Sequence, residues 1–231
     1  MEKYNKYFID VKLNLETVYV YTVRKIIQGL IDRHLDFFQG VLVDLGCGEM
    51  PYRQYLFDKC PKLKKYIGVD VKFNNYHQTL KPDIYWNGKK IPLKNKTADI
   101  VMATELFEHV DNLAVILKEI RRVLRPQGLL FFTVPFIWPL HETPHDEFRY
   151  TPYSLNRFLK KAGFTTITIL PTGGSNASLA LVLGIWSRLN YPKSKLFFPI
   201  IKYLLDKDLK QKPLAYGENT MTPGFYGYAK K

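Results

Sequence analysis

Between residues 41 and 134, short apolar runs alternate with amphipathic helical patterns, and this alternation leaves few folds open. The apolar runs cover 41–45, 66–70, 84–86, 99–103 and 129–134, while helical spacing is readable over 52–58, 113–124 and 152–162. Strands joined through helices cannot pair as hairpins. They lie parallel in one sheet, with helices on both faces. The expected fold is therefore α/β, a doubly wound and mostly parallel sheet.

Ahead of the first strand, Leu15, Val18, Tyr19, Thr22, Val23, Ile26, Ile27, Leu30 and Ile31 recur at a spacing of three and four. This predicts a long amphipathic helix over 15–38, with Asn14 as its cap and Gln39-Gly40 as its end. Runs at 165–170 and 225–229 read as the last two strands. They bracket a helical insert over 173–222, whose helices are expected at 179–189 and 196–205. The whole chain reads as one catalytic unit: an N-terminal helical segment (1–39), a core (40–172 and 223–231) and the insert (173–222).

Of the 231 residues, 46% are hydrophobic, which suits a packed domain and argues against disorder. The 34 basic and 21 acidic residues leave a formal net charge of +13. Such a chain favours anionic surroundings such as phosphates or acidic lipid headgroups, although lysines scattered along its length also suit an ordinary soluble surface. Cys47 and Cys60 form no CxxC pair, so neither a zinc site nor a disulfide framework is expected, and both read as structural. The stretch 162–187 is free of charge but broken by Pro171, Gly173 and Gly174, so no spanning helix is expected. Residues 1–6 lack the apolar core of a secretory signal, which predicts a cytoplasmic protein.

The first strand runs into Asp44-Leu45-Gly46-Cys47-Gly48. Glycines here permit positive φ and close approach of a ligand to the main chain, at the carboxyl edge where open α/β sheets bind ligands. The dinucleotide fingerprint fails at once, because Glu49, Met50 and Pro51 follow and the third glycine is missing. Glu49 would repel a diphosphate, whereas a cationic sulfonium ligand meets no such objection. The second strand ends in Gly68-Val69-Asp70, which places a carboxylate to accept hydrogen bonds from two ribose hydroxyls.

With these residues the chain resembles class I S-adenosylmethionine-dependent methyltransferases, in particular the type-11 methyltransferase group. The group's further signatures are matched in order. Asn87-Gly88-Lys89-Lys90-Ile91-Pro92-Leu93 precedes Ala98-Asp99-Ile100-Val101; Glu105-Leu106-Phe107-Glu108-His109 follows the fourth strand; and Arg122-Val123-Leu124-Arg125-Pro126-Gln127-Gly128 leads into the fifth. The resemblance implies a Rossmann-like seven-stranded sheet in the order 3-2-1-4-5-7-6, with S-adenosylmethionine as cofactor. It further implies that the cofactor lies against Asp44, Gly46, Cys47, Gly48, Asp70, Val71, Asn87, Thr104 and Glu105. Asn87 would face the adenine edge and Glu105 the positive charge. A carboxylate 4 Å from a cation is worth about 4 kcal/mol at an effective dielectric of 20, before desolvation.

Residues 135–150 follow the fifth strand and are dense in His, carboxylate, Arg and aromatic side chains, as expected of an acceptor-binding loop. His145 reads as a general base, with Asp146 or Glu142 orienting it or sharing the task, and His109 as a weaker base candidate. Arg149 would hold an anionic group of the acceptor, and His141, Glu142 and Tyr150 would line its site. A hydrogen-bonded network of His145, Asp146 and Arg149 that merely shapes the loop is the competing reading. His141 and His145 are four apart, but Pro139 and Pro144 oppose the helix that would align them, so no metal site is expected.

The chain has Ala103-Thr104-Glu105-Leu106 where nucleobase amino-methyltransferases carry Asn/Asp-Pro-Pro-aromatic, which disfavours that class. The expected acceptor is a small molecule or glycan, in lipid-linked form if the apolar insert lies against a membrane with Arg188, Lys193, Lys195 and Lys202 near the headgroups. The insert also suits a homodimer interface. The rival readings are an RNA methyltransferase, for which the positive charge would supply phosphate affinity, and a non-catalytic sensor of S-adenosylmethionine.

Overall fold

Leu42, Val43, Leu45, Val69, Ile100, Val101, Met102 and Ala103 are all buried. Uninterrupted burial along neighbouring strands is what a parallel sheet covered on both faces requires. The computed structural model describes residues 8–14, 16–72, 80–190, 193–209 and 215–231. Its strands are β1 (Gly40–Leu45), β2 (Leu63–Val71), β3 (Ile84–Trp86), β4 (Ala98–Thr104), β5 (Leu124–Pro135), β6 (Thr165–Pro171) and β7 (Gly224–Lys230). They form one seven-stranded sheet in the order β3-β2-β1-β4-β5-β7-β6, as the resemblance implied.

β1 pairs in parallel with β2 on one side and β4 on the other, so the strand order reverses at β1 and a crevice opens beyond its carboxyl end. β6 and β7 run in opposite directions. Thr165 bonds the carbonyl of Lys230 at one end, and the amide of Thr172 bonds the carbonyl of Gly224 at the other.

The chain divides into two compact units. The sheet unit comprises 34–135, 139–169 and 226–231. Its helices are α1 (Arg53–Lys59), α2 (Leu113–Val123) and α3 (Pro152–Lys161). α2 buries Leu113, Ile116, Leu117, Ile120 and Val123 along one stripe, and Asn112 caps it by accepting from the amide of Val115. α3 starts on Thr151, which accepts from the amide of Ser154, with Pro152 in the first turn. At the amino edge of the sheet, Asp99 accepts from the amide of Val41 at 2.7 Å and takes both its bonds from Arg125 at 2.6 and 2.7 Å.

β5 starts earlier than its apolar run. Leu124 already pairs with Ala98, and Gln127 takes up the irregularity with φ of 64°.

The helical unit comprises the described residues up to Arg33, 136–138 and 170–225. Its helices are α4 (Val18–Arg33), α5 (Ser175–Leu189) and α6 (Phe198–Leu209), the last preceded by a 3-10 segment at Lys193–Phe197. Val18, Ala180, Ile201, Leu204 and Leu205 form its core. The N-terminal helix is shorter than its pattern, giving way at Leu35–Phe37 to a 3-10 turn. Asn14 closes a turn on the amides of Glu16 and Thr17 instead of capping the helix, and Leu15 and residues 1–6 lie outside the described residues. α5 begins four residues before its expected start. Asp208 of α6 accepts from the amides of Gly174 and Ala177 at 2.9 and 2.7 Å, a cap supplied from a distant part of the chain.

On α5, Leu179, Val182, Trp186 and Leu189 are exposed at a spacing of three, four and three, and Leu196, Ile200 and Tyr203 are exposed on the segment that follows. No helix among the described residues is long and apolar enough to cross a membrane.

Candidate active site

Beyond β1 the main chain turns through Gly46 (φ 75°) and Gly48 (φ 50°), both in the left-handed region that glycine adopts without strain. The amide of Gly46 donates to the carbonyl of Val69 at 2.8 Å, which ties the turn to β2. A Cβ at Gly46 would stand 2.8 Å from Cδ1 of Leu106, whereas one at Gly48 would meet nothing within 4 Å. Gly46 is thus a close approach inside the fold, and Gly48 faces open space. Met50 occupies the region where a third glycine would leave room. It is buried, with φ of 50°, and its sulfur lies where a Cβ at Gly68 would go.

Asp70 is buried at the end of β2. Its Oδ2 accepts from the amide of Gly48 at 2.7 Å and its Oδ1 from the amide of Val71 at 2.6 Å. The carboxylate is therefore held against the Gly48 gap.

Beneath the turn, Asp44 is sealed from water. Tyr66 donates its hydroxyl to Oδ2, and Oδ1 is buried without a hydrogen-bond partner. Burial pushes this carboxyl up to about 7, with the charge of Asp70 adding and the Tyr66 bond opposing. Arg53 pairs with Asp83 and bonds the carbonyl of Tyr66, while Asp83 accepts from the amide of Gly68. Cys47 is buried, and burial followed by the nearby carboxylates pushes its thiol far up, which removes it as a nucleophile.

Thr104 ends β4, in register with Thr133 of β5. Glu105 then adopts φ of 49°, uncommon for a residue with a side chain. Thr133 holds it there, accepting from the Glu105 amide at 3.1 Å and donating its hydroxyl to Oε1 at 2.7 Å. Asn87 is exposed, and its Oδ1 accepts from the amides of Lys89 and Lys90, so its carbonyl end is committed to a turn. Arg122 fastens the loop after that turn. It bonds the carbonyls of Ile91 and Leu93 at 2.8 Å each while forked on Glu119.

On the other side of Glu105, the 3-10 turn Phe107–His109 meets the loop at 141–149. The Glu108 carbonyl accepts from the amides of Glu147 and Phe148. His109 Nδ1 lies 2.8 Å from the carbonyl of His145, so Nδ1 carries the proton, and Nε2 lies 3.7 Å from Glu108 Oε1 and 4.0 Å from Glu142 Oε2. The rings of His109 and His141 meet edge to face at 4.8 Å. The Glu108 side chain is fully buried, and neither oxygen has a hydrogen-bond partner. Burial, then the neighbouring charge of Glu105, pushes its carboxyl well above the usual range.

The loop arranges its residues differently from the sequence reading. His145 contributes its carbonyl, and its side chain is exposed. Asp146 does not orient His145. It is forked by Arg149 at 2.6 and 2.8 Å and accepts from the amide of His141, interactions that hold its carboxylate far below the usual range and make it a poor base. Arg149 is correspondingly engaged with Asp146 and with the carbonyl of Pro139. Tyr150 is buried between Phe148 and Phe158, and burial pushes its hydroxyl upward. Glu142 is exposed beside His109. His141 turns to His109 and Asp146, not to His145. Glu108 escaped the sequence reading, although the Glu105–His109 signature contains it.

Residues 43–132 match a family model described as a methyltransferase domain. Over that span the chain is similar to methyltransferase domains, and its fold is shared by S-adenosylmethionine-dependent methyltransferases. Among curated proteins it is similar to a mouse thiol S-methyltransferase, 28% identical over 99 residues. That match covers 39% of this chain and 41% of the mouse protein, so it spans less than half of the relative's length. Among solved structures, a methyltransferase from Archaeoglobus fulgidus shares the fold with a TM-score of 0.55 at 18% identity, covering 90% of this chain and 94% of that one. A Thermotoga maritima protein described as a possible histamine N-methyltransferase does so with 0.57 at 15%, covering 93% and 91%.

The Archaeoglobus fulgidus protein depends on S-adenosylmethionine, and the residues present here fit that cofactor. The gap at Gly48 would admit a ligand beside Asp70, and the unpaired Asp44 Oδ1 lies under the same turn.

Proposed function

We propose that the chain transfers a methyl group from S-adenosylmethionine to a small-molecule or glycan acceptor, lipid-linked acceptors included. The observation that carries this reading is the cradle at Gly46–Gly48, with Asp70 fixed at its rim and Glu105 held at the neighbouring strand end. When bound, S-adenosylmethionine supplies a methyl group activated by a positively charged sulfur. Asp70 would hold the ribose hydroxyls, the main chain from Asp44 to Gly48 and Val71 would line the nucleoside, and Asn87 would offer its amide nitrogen to the base. Thr104 and Glu105 lie at the end of β4, where a carboxylate favours the cationic end of the ligand.

Holding the acceptor atom in line with the methyl carbon is the larger part of the task, worth on the order of 7–11 kcal/mol. For a hydroxyl or thiol acceptor, the proton would pass to Nε2 of His109, whose ring is fixed by the His145 carbonyl. His145 and Asp146 would then act by positioning His109 and His141, with Arg149 bracing Asp146. The lipid-linked form is supported by the exposed stripe Leu179, Val182, Trp186 and Leu189, with Arg188 beside it and Lys202 and Lys207 on α6.

Calorimetric titration with S-adenosylmethionine and its demethylated product tests the cofactor half. Asp70→Asn should weaken both by tenfold to a hundredfold, the equivalent of about 1.5–3 kcal/mol for lost charge-assisted hydrogen bonds. Incubation with radiolabelled cofactor and fractionated extract tests the rest. Label should enter a lipid-extractable or small-molecule fraction, and a thiol panel is included because the mouse relative is named for that acceptor. Tight cofactor binding with no labelled fraction would leave a sensor, and label in RNA would overturn the acceptor assignment.

A further inference from the structure

We propose that Glu108, His109 and His141 form a binding site for a divalent transition-metal ion. One ring nitrogen from each histidine and one Glu108 oxygen all lie within 4.8 Å of one another, and the edge from His109 Nε2 to Glu108 Oε1 is 3.7 Å. Tetrahedral ligands about 2.1 Å from a metal stand roughly 3.4 Å apart. The triangle therefore has to close by about 1.4 Å at its widest edge, a movement within reach of a side chain on the 141–149 loop.

Two further observations point to a ligand. Glu108 is fully buried and neither of its oxygens has a hydrogen-bond partner, a costly arrangement that a metal ion in the cluster would relieve. His109 also carries the outer hydrogen bond that metal-ligating imidazoles have, and His141 has a carboxylate near its Nδ1. His109 donates from Nδ1 to the His145 carbonyl, which presents Nε2 to the cluster, and His141 Nδ1 lies 3.2 Å from Asp146. Glu105, whose charge acts on Glu108, and Glu142, 4.0 Å from His109 Nε2, make the surroundings negative, while Asp146 neutralises Arg149.

Two imidazoles and one carboxylate suit zinc, cobalt, nickel or ferrous iron better than magnesium or calcium, which prefer oxygen throughout. With a metal bound, His109 Nε2 is a ligand and no longer a base. A hydroxyl or thiol acceptor would then lose its proton to solvent as its oxygen or sulfur coordinates the metal.

The test is made without cofactor, so it stands apart from the methyl-transfer reading. Protein freed of metal is titrated with cobalt(II) and zinc(II), following the visible cobalt absorption and calorimetry. A single equivalent should bind. His141→Ala and His109→Ala should each weaken it at least tenfold, with Glu108→Gln as an isosteric variant whose thermal melting checks the fold. His145→Ala, which keeps its carbonyl, should bind as the unaltered protein does. No saturable binding, or equal binding after His141→Ala, would overturn the site.

Discussion

A carboxyl shut away from water, with a tyrosyl hydroxyl on one oxygen and nothing on the other, keeps its proton far into the neutral range. For Asp44 the folded value is raised from 3.8 to about 7. Its contribution to stability is therefore complete below about pH 4 and is lost as pH rises through 7, amounting to on the order of 4 kcal/mol. Asp44→Asn has no proton to lose. Measured by urea unfolding without cofactor, the variant should gain about 2.6 kcal/mol on the unaltered protein between about pH 5 and pH 8, and parallel pH profiles would refute this assignment. Asp44, Gly46, Gly48 and Asp70 are legible in the sequence because each follows directly from a strand end or a turn. The pairing of His141 with His109 is not, since it depends on how the 141–149 loop returns to the Phe107–His109 turn.

At the scale of elements, the glycine turn and the end of β4 are built against each other. Gly46→Ala adds a methyl group 2.8 Å from Leu106 Cδ1 at φ of 75°. The left-handed backbone alone costs about 1–2 kcal/mol. We expect a lowered denaturant midpoint and at least a tenfold loss of cofactor affinity. Adding Leu106→Ala should recover part of the affinity by removing the clash, and a double variant no better than Gly46→Ala would locate the whole effect in the backbone. Periodicity reveals strands and helices well where their own residues decide them, as in α2. It fails where a distant residue decides, as when Asp208 starts α5 early, or where a strand absorbs a turn, as β5 does at Gln127.

Across the whole molecule, a net charge of +13 coincides with a helical unit that leaves Leu179, Val182, Trp186 and Leu189 exposed. Binding to vesicles containing anionic lipid should fall with added salt, and Trp186→Ser and Leu189→Ser should each reduce it several-fold without changing the melting temperature by more than a few degrees. Equal binding to neutral vesicles would remove the electrostatic half of the argument. The alternation of strands and helices made the parallel α/β sheet legible, and the family resemblance supplied its strand order. The division into a sheet unit and a helical unit was not, because the helical unit gathers separate stretches of chain. Within the sheet unit, Leu106 touches the space at Gly46 and stands two residues from Glu108. A ligand that shifts the main chain at either neighbour bears on the segment that carries Leu106. Occupancy on one side should therefore be felt on the other as cooperativity, and thermodynamic reciprocity requires the factor to be the same from whichever side it is measured.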